Sequence, residues 1–196
     1  MIQLPKLVLA SGSPRRAEIL RSVGWDFVKD APDVDESELD GETPEDYVLR
    51  LAATKAAAVS GKHPDQIILG ADTTVVISGE IVGKPTDIAD ARRMIEMLKG
   101  NSHEVLTGVA VVKNGSTKTG LERTLVNFSR MSEAEIHFLV EKGDPLDKAG
   151  AYAVQAQAAL FIEGIVGDYW NVVGLPIGLV YRMIMHGPAH NKLENS

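Results

Sequence analysis

Residues 104–130 read EVLTGVAVVKNGSTKTGLERTLVNFSR. Asn114-Gly115, set between two long β-prone runs, is the strongest short-range hairpin signal, because a type I′ turn needs φ > 0 at both central positions. Glu104–Lys113 and Ser116–Arg130 are therefore expected to be antiparallel strands. A chain whose middle is dominated by such a hairpin is not a simple doubly wound parallel sheet. Around it, strands alternate with helices, so the fold class expected is α/β with a mixed sheet.

Upstream, LVLASGSPRRAEIL (7–20) stops a short apolar run at Ser-Gly-Ser-Pro. Leu7–Ala10 reads as a buried strand, Ser13 as an N-cap and Pro14 as the first helical residue, with the helix ending near Val23 before Gly24. Trp25–Val28 reads as a short strand. Thr43-Pro44 repeats the cap pattern and opens a helix to about Ser60. Ile67–Ala71 is a second buried strand, and 73–77 with 80–82 form a small hairpin about Ser78-Gly79. Helices are expected at 87–98, from the Ser132–Glu135 capping box to Lys142, and from about Pro176 to Met185. Further strands are expected at 151–155 and 159–166. The tail from about 187 is polar and expected to fray.

The chain has 196 residues, 44% hydrophobic and 24% charged, with a formal net charge of −7. That charge argues against nucleic acid and acidic membrane surfaces as partners. It leaves room for a small anion, since a divalent cation can invert local charge. With no cysteine, thiolate catalysis, disulfides and zinc-thiolate sites are excluded. The apolar stretch at the N-terminus is too short for a signal peptide, and no run reaches transmembrane length, so a cytoplasmic protein is expected.

Arg15 and Arg16 fall in a first helical turn, where the helix dipole disfavours cations and free backbone N–H groups favour anions. They either face solvent or hold an anion, and the local pattern leaves both readings open. Asp72 follows an apolar strand at its expected carboxyl end, the edge where open α/β sheets bind ligands. Lys55 falls within the apolar stripe of Val48, Leu51, Ala52 and Val59, so it either snorkels outward or meets a buried anion. Residues 33–46 carry eight acidic side chains and no basic one. Most suit a solvated loop, while Asp35 or Glu36 could supply a metal ligand. Lys84 sits in the constrained turn Gly83-Lys84-Pro85. The five histidines, at 63, 103, 137, 186 and 190, show no close ligand spacing. Together these residues suggest a polyphosphate site.

The same residues lie in stretches that resemble the Maf-type nucleoside triphosphate pyrophosphatases along nearly the whole chain: ASGSPRR (10–16), VDE (34–36), LAATKA (51–56), LGADT (69–73), GKP (83–85), HEVLTGVAV (103–111), DPLDKAGAYAVQ (144–155) and NVVGLP (171–176). The resemblance implies one domain over 1–196, with an elongated mixed sheet flanked by helices, an architecture similar to the inosine-triphosphate pyrophosphatases, and two lobes around a central cleft. It implies cleavage of a nucleoside triphosphate between the α and β phosphates with Mg²⁺ or Mn²⁺. It also implies that Ser13, Arg15, Arg16, Lys55 and Lys84 bind phosphate, that Glu36 and Asp72 bind the metal, and that Asp72 is the general base. Arg15, Thr73 and Gln155 match positions linked to base choice, and Gln155 is similar to the branch acting on dTTP and UTP. In the related branch acting on 7-methyl-GTP, an acidic residue usually stands near that place instead. This chain departs from the usual Tyr-Gly-Ile-Gln-Gly by reading Tyr152-Ala153-Val154-Gln155-Ala156, which adds two methyl groups and restricts φ. A homodimer and a non-hydrolytic, nucleotide-binding role in septum formation stand as further expectations.

Overall fold

The computed structural model describes residues 2–186; the expected frayed tail and His190 lie outside the described residues. Leu7–Leu9 (β1) is short, and its side chains alternate: Leu7 and Leu9 enter the main core, while Val8 joins a smaller cluster on the opposite face. Pro14–Ser22 (α1) follows after Ser13, and Gly24 takes φ 70° past its end. Phe27–Lys29 (β2) returns parallel to β1. Pro44–Ser60 (α2) is capped by Thr43, whose hydroxyl accepts the Asp46 N–H at 3.2 Å, with Glu45 and Asp46 in the first turn where the dipole favours them.

Ile67–Ile77 (β3) is one unbroken strand of 11 residues. The expected division at Asp72 does not occur, because β5 pairs along β3 through Asp72 and the β-branched Thr-Thr-Val-Val-Ile run keeps the chain extended. Asp72 is therefore in the middle of a strand, not at its carboxyl end. Glu80–Val82 (β4) folds back on the end of β3, Ile88–Leu98 (α3) is capped by Asp87, and Gly100 follows with φ 68°. Ser102–Lys113 (β5) and Ser116–Phe128 (β6) form the expected hairpin, with Asn114 and Gly115 at φ 51° and 73°. Glu133–Lys142 (α4) opens with the expected capping box of Ser132 and Glu135.

The strand expected at 151–155 is absent. Short 3₁₀ turns occupy Pro145–Asp147, Ala149–Ala151 and Gln157–Leu160, and only Ile162–Val166 (β7) joins the sheet, on β6. Gly150 and Ala151 adopt φ 67° and 63°, which breaks any extended run there. Tyr169–Val173 (α5), capped by Asp168, was not legible in a sequence of bulky and β-branched residues; Ile177–Met185 (α6) closes the described chain.

The sheet order is β2-β1-β3-β5-β6-β7, with β4 also on β3. β1, β2 and β3 are parallel and the remaining pairs antiparallel, so the sheet is mixed. Helix α2 covers one face through Ala52, Ala56 and Val59, while α1, α3, α4 and α6 contribute to the large cluster on the other.

β1 pairs with β3 only as far as Leu69, and β4 begins pairing at Val75. Between them, β3 has β5 on one side and, among the described residues, no strand on the other.

Candidate functional site

Helix α2 reaches the sheet closely because two glycines make room. A Cβ at Gly70 would collide with the Ala52 carbonyl, and one at Gly108, the register partner of Asp72, would collide with the Val48 carbonyl. This approach brings Lys55 onto Asp72: Nζ donates to Oδ1 at 2.5 Å. The same ammonium lies 2.6 Å from Glu36 Oε1. Of the two outcomes left open for Lys55, the structure shows the buried ion pair.

Glu36 comes from an irregular loop, and the loop is held. The Tyr47 hydroxyl donates to the Glu36 carbonyl at 3.0 Å, and Arg50 donates to the Ser37 carbonyl at 3.0 Å and to both carboxylate oxygens of Glu42 at 2.6 and 2.7 Å. Part of the acidic stretch is thus fastened to α2, not loosely solvated.

Strand alternation sends Thr73 to the face opposite Asp72. There its hydroxyl meets Thr107 Oγ1 at 2.9 Å and accepts from Arg16 Nη2 at 3.1 Å. Arg16 is buried, and it also donates to the Gly174 carbonyl at 2.9 Å and to Ser11 Oγ at 3.0 Å. All three acceptors are neutral. No carboxylate lies within ion-pair distance of Arg16 among the described residues. A buried guanidinium without a compensating anion is an unfavourable arrangement unless a ligand supplies one.

The open edge of β3 joins these two faces in one cleft of about 610 Å³, a volume typical of small-molecule sites. Of the residues singled out from the sequence, Ser13, Arg15, Arg16, Glu36, Lys55, Asp72, Thr73, Lys84 and Gln155 line it, whereas Asp35 does not: its carboxylate accepts from the Ser37 N–H at 2.9 Å and the Ser37 hydroxyl at 2.6 Å. Ser13 does not cap α1 with its side chain; its N–H donates to Ser11 Oγ at 3.2 Å. Arg15 is not free, pairing with Asp147 Oδ2 at 2.7 Å. Lys84 and Gln155 are exposed within the cleft. Thr73 is largely committed to Arg16 and Thr107, so its side chain has limited capacity left for a ligand. Ala153 also lines the cleft, with its methyl group buried, and neither Ala153 nor Ala156 has a positive φ. The two alanines are accommodated without left-handed strain.

Sequence reasoning missed Ser11, Tyr47, Asp147 and Lys148 as cleft residues. The adjacent acid and base in DPLDKAGAYAVQ was the available signal for the last two.

Electrostatics separate the two carboxylates. Burial pushes the Asp72 carboxyl above its ordinary range, and the nearby Glu36 charge adds to this, against the opposing pull of Lys55 and Arg16. Partial burial also raises Glu36, but its bond to Lys55 and the charges of Lys55, Lys84 and Arg16 outweigh that and hold it below the usual value. Burial lowers the Arg16 guanidinium, with the Asp72 charge opposing. A buried carboxylate that takes up protons more readily than usual, beside an ionised partner, is suited to receiving a proton or sharing a cation.

Among the described residues no group of three or more His, Asp and Glu forms a protein-only metal cage. The Asp72 and Glu36 oxygens on either side of one ammonium suit a smaller donor set. Mg²⁺ commonly takes one or two carboxylates and completes its shell with water and substrate phosphates. No helix among the described residues is long and apolar enough to cross a membrane.

Among solved structures, the Ham1 protein of Staphylococcus aureus is similar at 17% identity and a TM-score of 0.44, covering 63% of this chain and 71% of that one. Closer similarity lies in sequence. A Symbiobacterium thermophilum protein named dTTP/UTP pyrophosphatase is 49% identical over 181 residues, covering 92% of this chain and 93% of its own. Proteins of the same name from Anaeromyxobacter dehalogenans and Bacillus cereus are 50% and 45% identical, covering 88% and 90% of this chain. The family described as Maf-like protein matches residues 6–186, a span that contains the whole cleft. The chain belongs to the Maf-like protein family.

Proposed function

We propose that this chain hydrolyses dTTP and UTP to the monophosphate and pyrophosphate. The observation that carries the reading is the buried Asp72 carboxylate facing a cleft that also holds Arg15, Arg16, Lys55 and Lys84. Cations alone would suit a binding protein. A carboxylate with raised proton affinity among them suits hydrolysis. The names of the relatives supply the choice of nucleotide, and Gln155 in the cleft offers a side-chain amide for a pyrimidine edge.

In the reaction, a water oxygen attacks the α phosphorus, the bond from that phosphorus to the bridging oxygen breaks, and pyrophosphate leaves. Asp72 receives the proton of the attacking water. Arg16, already desolvated and held by three neutral acceptors, binds phosphate oxygens without reorganising. Lys55 holds Asp72 and Glu36 in place, and Lys84 enters from the loop after β4. Glu36 and Asp72 would hold a divalent cation, and such a cation, when bound, neutralises phosphate charge and acts as a Lewis acid.

The deciding experiment incubates purified protein with dTTP, UTP, CTP, GTP or 7-methyl-GTP, with Mg²⁺ or Mn²⁺, and measures pyrophosphate and monophosphate. The expected result is release from dTTP and UTP above the other nucleotides. Release chiefly from 7-methyl-GTP would overturn the substrate assignment. Tight nucleotide binding without pyrophosphate from any of them would establish the regulatory alternative instead.

A further inference from the structure

The wall of the cleft opposite α1 carries an arrangement that the proposed reaction has not used. Each oxygen of the Asp147 carboxylate is taken by a different cation: Oδ2 by Arg15 Nη1 at 2.7 Å, Oδ1 by Lys148 Nζ at 2.5 Å. Arg15 also donates to the Asp147 carbonyl at 3.0 Å. Arg15 belongs to the first turn of α1 and Asp147 to the 3₁₀ turn 132 residues later, so the contact crosses the cleft.

We propose that Asp147 is a resident anion standing where the terminal phosphate of the substrate binds, and that Lys148 is a further phosphate-binding residue of the site. The proposal rests on a triphosphate being the ligand of this cleft. A carboxylate bridging a guanidinium and an ammonium makes the contacts that two phosphate oxygens would make.

Exposure shows which partner yields. The Lys148 side chain is 11% exposed and the Asp147 side chain 52%. Lys148 is anchored independently, by the Asp144 carbonyl and by the Asp144 carboxylate at 3.3 Å. Among the described residues the Asp147 carboxylate has only the two cations, and it can rotate into solvent while the ammonium stays. The backbone around them is fixed. The Lys148 N–H donates to the Pro145 carbonyl at 3.1 Å, and the Gly150 N–H donates to the Gly83 carbonyl at 3.0 Å. That last bond ties the Lys148 segment to the loop bearing Lys84, so both lysines belong to one wall. A neutral pyrimidine has no use for so many cations, whereas the charge-dense end of a triphosphate does.

Isothermal titration with inorganic tripolyphosphate and with dTMP, each as the probe, separates the roles. Asp147→Asn removes the competing charge and keeps the shape; it should bind tripolyphosphate on the order of tenfold more tightly, with dTMP affinity unchanged. Lys148→Met should bind tripolyphosphate roughly tenfold more weakly, again with dTMP unchanged. A thermal melt confirms that each variant is folded, and Asp147→Asn alone decides the matter if Lys148→Met is not. Unchanged or weaker tripolyphosphate binding by Asp147→Asn would overturn the proposal, as would equal losses for tripolyphosphate and dTMP in Lys148→Met. If wild-type protein hydrolyses dTTP while Asp147→Asn gains no affinity, only this proposal fails. If the affinities shift as expected but no nucleotide is hydrolysed, the pyrophosphatase reading fails and this one holds.

Discussion

Arg16 and Asp72 show how much one side chain's surroundings decide. Arg15 and Arg16 are adjacent and chemically identical, yet one pairs with Asp147 near the surface and the other is buried on neutral acceptors. Arg16→Lys retains the charge but cannot reproduce a planar fork to Gly174, Ser11 and Thr73. We expect KM for dTTP to rise at least about tenfold, measured by steady-state pyrophosphate release. Asp72→Asn removes the proton acceptor, and kcat should fall about 10²- to 10⁴-fold while the folded state persists by circular dichroism. Burial raises the Asp72 carboxyl, so it becomes protonated at a higher pH than an ordinary aspartate as pH falls. The acid limb of kcat/KM should therefore lie above the usual carboxylate range. It should be missing from the residual activity of Asp72→Asn, and a limb that persists unchanged would assign it to another group.

At the level of elements, the site exists because α2 sits on β3 and β5 more closely than side chains normally allow. Gly70→Ala and Gly108→Ala each place a methyl group against helix backbone. Overpacking of this kind costs about 1–3 kcal/mol. It should also lift Lys55 away from Asp72, so activity should drop beyond what the stability change explains. Gly61→Ala is the control: it lies at the end of α2 with φ −62° and open space where the methyl would go. Thermal denaturation should show a lower Tm for the first two variants and little change for the third. The helix boundaries themselves were readable, because Thr43, Asp87 and the Ser132–Glu135 box act through local hydrogen bonds. The segment 144–160 was not readable. Its turns depend on Asp144, Gly150 and Ala151 holding left-handed φ values that alanine-rich sequence does not announce.

For the whole molecule, β1 ends early, β4 begins late, and the gap between them on β3 opens the cleft to both faces of one continuous sheet. The cleft walls are thereby joined through the sheet, and we expect the chain to unfold as one cooperative unit. A non-hydrolysable dTTP analogue at about 100 times its Kd should stabilise it by about 2.7 kcal/mol. For a chain of this size that corresponds to a rise in Tm of about 5–10 °C. One calorimetric transition should shift as a whole; two transitions, only one of them responding, would refute the cooperative unit.

The sequence alone was enough for the local and periodic features: the Asn114-Gly115 hairpin, the capped helices, the mixed sheet class, and the residue types of a polyphosphate site. Each depends on contacts a few residues apart or on short motifs in order. Tertiary structure decided the rest. That Arg16 is buried on neutral acceptors, that Lys55 bridges Asp72 and Glu36, and that Asp147 stands between Arg15 and Lys148 all depend on partners far along the chain. Burial and pairing of charge depend on which surfaces meet, and that is settled only when α2, the open edge of β3 and the 144–151 segment come together around one cleft.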